Sequence, residues 1–220
     1  SALWNEQSSA RWNLVETDNY IDAVIRESRF RFNVDRERVF LGGQSMGGFG
    51  AYHLCQRLAD RLAGGVLYAG AWQSARWENM IGTPLFIRHG RNDAVPAGTP
   101  GTSPRPRYTD VFYGSAASRL LTAAGAEHVY AEDDGGHAIR EAGESLVRLV
   151  KWMGGRRRDP FARRVIAQTP RGWNATRDTP TPHHRWVTIL ESGEGMLPFD
   201  EVQRTGPGPS WKESRESFIK

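Results

Sequence analysis

The 220 residues amount to 24.7 kDa with a mean hydropathy of −0.57, room for one ordinary domain and a small appendage. No run nears the roughly 18 to 20 apolar residues that a membrane span needs, and a single cysteine, Cys55, excludes both an internal disulfide and a cysteine-based zinc site. The net charge of +4 is unevenly placed: residues 1–150 carry 16 basic and 17 acidic side chains, residues 151–220 carry 13 and 8. The excess is led by Arg156, Arg157, Arg158, Arg163 and Arg164. With no nucleic-acid motif beside it, this run reads as a solvated, Arg-rich helix end and linker, not as a nucleic-acid surface.

In chain order, helix and strand signals alternate from about residue 17 to 153, the pattern of an α/β fold with a mostly parallel sheet. Thr17 is placed to cap a helix with Asp18 in its first turn, and Ile21, Val24, Ile25 and Ser28 follow on one face. Val39-Phe40-Leu41 reads as a short buried strand ended by Gly42-Gly43, and Ala51, Tyr52, Leu54, Cys55 and Leu58 as the helix after it. Further strands are expected at Gly65-Val66-Leu67-Tyr68-Ala69, Pro84-Leu85-Phe86-Ile87 and His128-Val129-Tyr130-Ala131. Helices are expected over 116–124, stopped by Gly125 as a left-handed cap, and over 146–153.

Pro100, Pro104, Pro106, Gly98 and Gly101 make residues 97–107 an irregular loop. Beyond Arg156 the helical pattern ends, and strands are expected at 163–167 and 185–190, a small β-rich appendage over 156–205. From Gly206 the Pro, Gly and Ser content predicts a frayed tail, 206–220. There are no internal repeats.

The most informative segment is Gly43-Gln44-Ser45-Met46-Gly47, a G-x-S-x-G between an expected strand and an expected helix. Such a turn strains the serine backbone and demands small neighbours, so side chains at Gly43 or Gly47 are expected to collide with nearby chain. It lifts the Ser45 hydroxyl clear of the sheet at a helix N-terminus, where the Met46 N–H can stabilise a developing oxyanion. A serine hydroxyl needs a base, and the base an orienting acid. Asp93 lies in the loop after the strand at 84–87, and His137 in the loop after the strand at 128–131. Spacings of 48 and 44 residues each leave room for a helix and a strand. The other acids are Asp110, Asp133 and Asp134, of which the last two sit too near His137 to come from a separate strand end. His53 reads as a residue facing solvent or packing locally, His89 as structural support for the acid loop, His128 opens a strand, and His183 and His184 lack a carboxylate spaced to complete a metal site.

The segments Val39-Phe40-Leu41-Gly42-Gly43-Gln44-Ser45-Met46-Gly47-Gly48-Phe49-Gly50, His89-Gly90-Arg91-Asn92-Asp93-Ala94-Val95-Pro96 and Gly135-Gly136-His137 together resemble the α/β-hydrolase superfamily. The likeness is nearest the feruloyl-esterase and polyhydroxybutyrate-depolymerase-like group, adjacent to prolyl-oligopeptidase-type hydrolases, and spans about 17–154. It implies a catalytic domain over 1–155 with helices on both faces of the sheet, Ser45 as nucleophile, His137 as general base and acid, Asp93 as its partner, and the Met46 N–H as half of an oxyanion hole. Only about 38 residues precede Val39, where the family has several strands and its second oxyanion donor. The expectation is therefore the C-terminal part of such a fold, lacking its early strands, ahead of an unusually minimal form, with the 220 residues weakly active or inactive alone.

The reaction implied is cleavage of a carboxylic ester through an acyl-Ser45 intermediate, with no metal or organic cofactor. Peptide cleavage by the same triad, or a non-catalytic binding protein on the same fold, are the alternatives. Gln44, Trp72, Tyr108 and Tyr113 are the candidates to touch a small-molecule ester or peptide, the aromatic ones being equally readable as core packing. Trp173, Trp186 and Trp211 in the appendage invite a carbohydrate-binding reading, against plain packing on the hydrolase. The cellular compartment is not readable from the sequence.

Overall fold

The computed structural model describes residues 15–72, 75–93, 109–163, 165–167, 183–185, 187–188, 197–203 and 212–217. Four strands, β1 (Phe40–Gln44), β2 (Gly64–Tyr68), β3 (Leu85–Gly90) and β4 (His128–Asp133), form one sheet in sequence order. Every neighbouring pair is parallel. Helix α1 (Val15–Arg31) precedes the sheet, α2 (Met46–Arg57) links β1 to β2, α3 (Val111–Ala124) links β3 to β4, and α4 (Gly143–Gly154) follows β4. The chain is thus an α/β unit with a parallel sheet, as its alternating pattern predicts.

Alternation along the two central strands divides the core. Leu67, Leu85 and Ile87 face a large cluster filled from α1, α2 and α3 by Ile25, Tyr52, Leu54, Cys55, Phe112 and Leu121. Val66 and Phe86 face the other way, onto Trp152 of α4, with Phe40, Tyr68, Leu149 and Met153 packed around them. Helices therefore cover both faces, and burial on both sides explains why β2 and β3 read as unbroken apolar runs.

Several boundaries differ from the expected ones, each for a physical reason. Helix α1 starts at Val15, so Thr17 is a buried residue of its first turn and not its cap. Strand β1 runs through Gly42 and Gly43 because both pair with β2, opposite Val66 and Leu67. Strand β3 extends to His89 and Gly90 through pairing with Glu132 and Asp133. Helix α3 begins at Val111, capped by Asp110, whose carboxylate accepts the Phe112 N–H at 2.8 Å. Gly125 ends it with φ 73°, the left-handed cap expected there.

In the C-terminal part, Arg163 and residues 165–167 form no strand. His183–His184 (β5) and Val187–Thr188 (β6) make a short antiparallel pair about Arg185, which has φ 60°. Leu197–Gln203 (β7) pairs antiparallel with Lys212–Ser217 (β8), and β8 lies inside the segment 206–220 whose composition predicts a frayed end. Trp173, Trp186 and Trp211 lie outside the described residues.

The basic run is not simply solvated. Arg156 pairs with Glu127 and lies 4.5 Å over the Trp152 ring, Arg157 meets Asp35 at 3.1 Å, and Arg158 grips Glu37 through two nitrogens at 2.9 and 3.1 Å. Three arginines paired in this way hold the chain after α4 against the body.

Trp152 is 7% exposed and meets Phe40 and Phe86 at ring-centroid separations of 6.0 and 5.5 Å. Trp152→Ala is expected to cost about 3 to 5 kcal/mol, read as a fall in the urea midpoint at unchanged slope.

Candidate active site

At the C-terminal end of β1 the chain passes from strand to helix across one residue. Ser45 has φ 58° and ψ −121°, a conformation that costs a non-glycine residue about 1 to 3 kcal/mol. Its N–H is bonded to the Tyr68 carbonyl at 3.0 Å, and its own carbonyl accepts the Phe49 N–H at 3.1 Å. A Cβ on Gly43 would stand 2.2 Å from the Gly47 oxygen, so a side chain there is excluded as expected. Gly47 itself faces open space, contrary to expectation: it is the wall that Gly43 must clear, not a second crowded site. The crowded partner is Gly48, where a Cβ would meet the Tyr68 oxygen at 2.7 Å and Gly70 Cα at 2.9 Å. The sequence pattern alone did not single out Gly48 and Gly70, because their need for a bare backbone arises between segments.

The structure brings together all three residues of the expected set. His137 Nε2 lies 2.7 Å from Ser45 Oγ, and His137 Nδ1 lies 3.0 and 2.9 Å from the two Asp93 oxygens. The Asp93 side chain is 1% exposed, whereas that of His137 is 45% exposed. Met46 is the first residue of α2, so its N–H lacks an acceptor within the helix and stands beside Ser45.

The acid loop and the histidine loop are tied along their length. Arg91 N–H bonds the Asp133 carbonyl at 2.8 Å and Asn92 N–H the Gly135 carbonyl at 3.0 Å, while the Asn92 amide donates to the Asp134 carbonyl at 2.6 Å. Gly90 permits the crossing, because a Cβ there would meet the Gly136 and Gly135 oxygens at 2.3 and 2.5 Å. Gln44 is exposed, and its amide donates to the His137 carbonyl at 2.8 Å. Its visible work is to hold the histidine loop over the serine.

Two of the expected pocket residues are buried. Trp72 and Tyr113 are 3% and 4% exposed, and the Trp72 indole N–H donates to the Tyr113 carbonyl at 3.1 Å. Trp72 stacks edge-on with Trp77 at 5.0 Å and with Tyr113 at 6.0 Å. Both belong to the buried core cluster. Tyr108 lies outside the described residues. Asp110 is the α3 cap and Asp133 accepts the Gly135 N–H at 2.8 Å, whereas the carboxylate on His137 Nδ1 is that of Asp93. The Cys55 thiol is fully buried and pushed up to about 12 by that burial, which removes it as a nucleophile.

His89 supports the site more closely than its sequence position implies. It is 1% exposed, bonded through Nε2 to the Thr109 carbonyl at 2.7 Å and 3.6 Å from an Asp93 oxygen. Burial holds its pKa below the ordinary value, against the pull of Asp93, Asp110 and Glu132. His53, read as a surface or locally packed residue, instead bonds the buried Asp18 at 2.8 Å, and Arg57 completes that link between α1 and α2.

No family model matches the chain. Over 86 residues it is 29% identical to a bifunctional acetylxylan esterase/xylanase of Neocallimastix patriciarum, a stretch that is 38% of this chain and 13% of that protein. Among solved structures it is similar to a thermostable esterase, at 18% identity and a TM-score of 0.49, over 64% of this chain and 36% of that one. It is also similar to Arabidopsis thaliana SOBER1 at 20% identity, a TM-score of 0.48 and 69% coverage of each chain. The Bacillus cereus carboxylesterase gives 18% identity and a TM-score of 0.49, covering 64% of this chain and 60% of that one. The chain thus spans only a minor part of the curated protein it matches.

The lowered His89 pKa gives a pH prediction. Above the ordinary value of 6.5 the imidazole is neutral folded and unfolded alike. As pH falls through that value the unfolded chain takes up a proton that the folded chain refuses, so stability drops until the lower folded pKa is passed. His89→Gln, which keeps a donor near Nε2, is expected to flatten the stability profile below 6.5, measured by urea unfolding across a pH series.

Proposed function

We propose that the chain hydrolyses carboxylic esters as a serine hydrolase of the α/β-hydrolase type. The observation that carries this reading is the unbroken line from Ser45 Oγ through both nitrogens of His137 to Asp93, set on a strained strand-to-helix bend. The 86-residue likeness to a protein named as an acetylxylan esterase agrees with an ester substrate.

In this mechanism His137 Nε2 takes the Ser45 hydroxyl proton as Oγ attacks the ester carbonyl, and the Met46 N–H receives the negative charge that develops on the carbonyl oxygen. Collapse breaks the carbon–oxygen bond to the alcohol, which leaves with the proton returned by His137, and an acyl-Ser45 ester remains. Water then gives a proton to the same nitrogen and attacks, releasing the acid and restoring Ser45. Asp93 fixes the tautomer with the proton on Nδ1 and stabilises the imidazolium. A buried carboxylate in two close contacts with that nitrogen suits this role.

The test is labelling by a fluorophosphonate probe and turnover of p-nitrophenyl acetate, with feruloyl esters and peptide amides as further substrates. Ser45→Ala is expected to abolish labelling, and His137→Ala to lower kcat by roughly 10³-fold or more. Asp93→Asn is expected to do the same with KM little changed. Labelling that persists in Ser45→Ala removes Ser45 from the reaction.

A further inference from the structure

On the face of β3 opposite the large core, Arg88 reaches in two directions. Its NH1 lies 2.8 Å from Glu141 Oε2 and its NH2 lies 3.0 Å from Asp133 Oδ2. Asp133 is the last residue of β4, and Glu141 stands two residues before α4 begins. The two carboxylates therefore mark the ends of the loop that carries His137. One guanidinium holds both ends. Asp133 passes the restraint onward, because its other oxygen accepts the Gly135 N–H two residues before the histidine.

The charges and burial favour a rigid clamp. The side chains of Arg88 and Glu141 are 16% and 9% exposed, that of Asp133 31%. Burial opposes charge on Glu141, yet neighbouring Ser145, Tyr68 and Arg88 hold its carboxyl below the usual range. A planar guanidinium with two forks is suited to bridging two carboxylates at once, which a lysine ammonium does less well. On the other side of the loop Arg91 reaches Glu132 at 3.0 Å and also pairs with Asp134, but that side chain is half exposed and adds less.

The geometry points to Arg88 as a positioning residue for His137: by bracing Asp133 and Glu141 it keeps the imidazole on the line between Ser45 and Asp93. This deepens the ester-hydrolase reading and rests on it for its kinetic arm, though not for its spectroscopic one. Arg88 touches none of the reacting groups, and its effect passes through the loop. A small drift of a base across a reaction this sensitive to alignment is enough to lower the rate by about tenfold or more.

The experiment compares the full chain with Arg88→Gln, Arg88→Lys, Glu141→Gln and Asp133→Asn. Histidine side-chain NMR reads the His137–Asp93 hydrogen bond; p-nitrophenyl acetate gives kcat and KM. In Arg88→Gln the downfield His137 Nδ1 proton is expected to broaden or vanish, and kcat to fall by about tenfold with KM within twofold. Arg88→Lys should recover part of each effect, and the two carboxylate variants should show smaller changes in the same direction. An Arg88→Gln protein with a lower melting temperature but unchanged His137 resonance and kcat overturns the proposal. Should Arg88→Gln fail to fold, the carboxylate variants decide, and wild-type behaviour in both overturns it. If the wild-type chain turns over no ester, the esterase reading fails and the NMR comparison still decides the role of Arg88.

Discussion

At Ser45 the backbone changes from strand to helix in a single residue, in a conformation that L-residues avoid. That bend is the constraint around which the rest of the sheet end is organised. It survives because its surroundings over-determine it: the Ser45 N–H is committed to Tyr68 on the next strand, and α2 begins at once with its own hydrogen bonds. Bare backbone at Gly43, Gly48 and Gly70 lets the three passes of chain approach closely enough for this to happen. The cost of the bend, about 1 to 3 kcal/mol, is borne by a core that buries both faces of β2 and β3.

From that bend the other two groups arrive by topology. The parallel order β1, β2, β3, β4 sends all strand ends to one edge, so loops after β1, β3 and β4 meet there although they are far apart in sequence. Electrostatics then divides labour between two imidazoles near one carboxylate. His89, sealed from water, is biased toward its neutral form, while His137 lies partly open to solvent and contacts both Asp93 oxygens. A ring held toward its neutral form does not compete with His137 for the Asp93 carboxylate.

Much of this was legible in the sequence, and the reasons are specific. Short apolar runs bounded by glycine and helical spacing between them carry the α/β pattern, because a parallel sheet leaves that periodicity whatever its neighbours are. Ser45, Asp93 and His137 stood out because each follows a strand at a spacing that one helix can fill. What was not legible depends on pairs distant in sequence. The registers that carry β1 to Gln44 and β3 to Gly90 are set by adjacent strands. The bare-backbone requirement at Gly48 is set by Gly70, and that at Gly90 by the histidine loop. Trp72 and Tyr113 have the composition of a binding pocket and the burial of a core, which only their neighbours can distinguish. Asp18, His53 and Arg57 form a contact between two helices that no local rule anticipates.

The arginines after α4 bear on where this polypeptide can be shortened. A sequence-based boundary at residue 155 would fall immediately before Arg156, Arg157 and Arg158. Arg158 also donates its backbone N–H to the Glu37 carbonyl at 2.8 Å and a guanidinium N–H to the Asp60 carbonyl. It therefore stitches the α1–β1 connection and the turn after α2 to the chain that leaves α4. Trimming at the glycines would take away the arginine partners of the Glu127, Asp35 and Glu37 carboxylates and of the Glu37 and Asp60 carbonyls. A shortened version intended for crystallisation or display should keep this basic clasp and end beyond it.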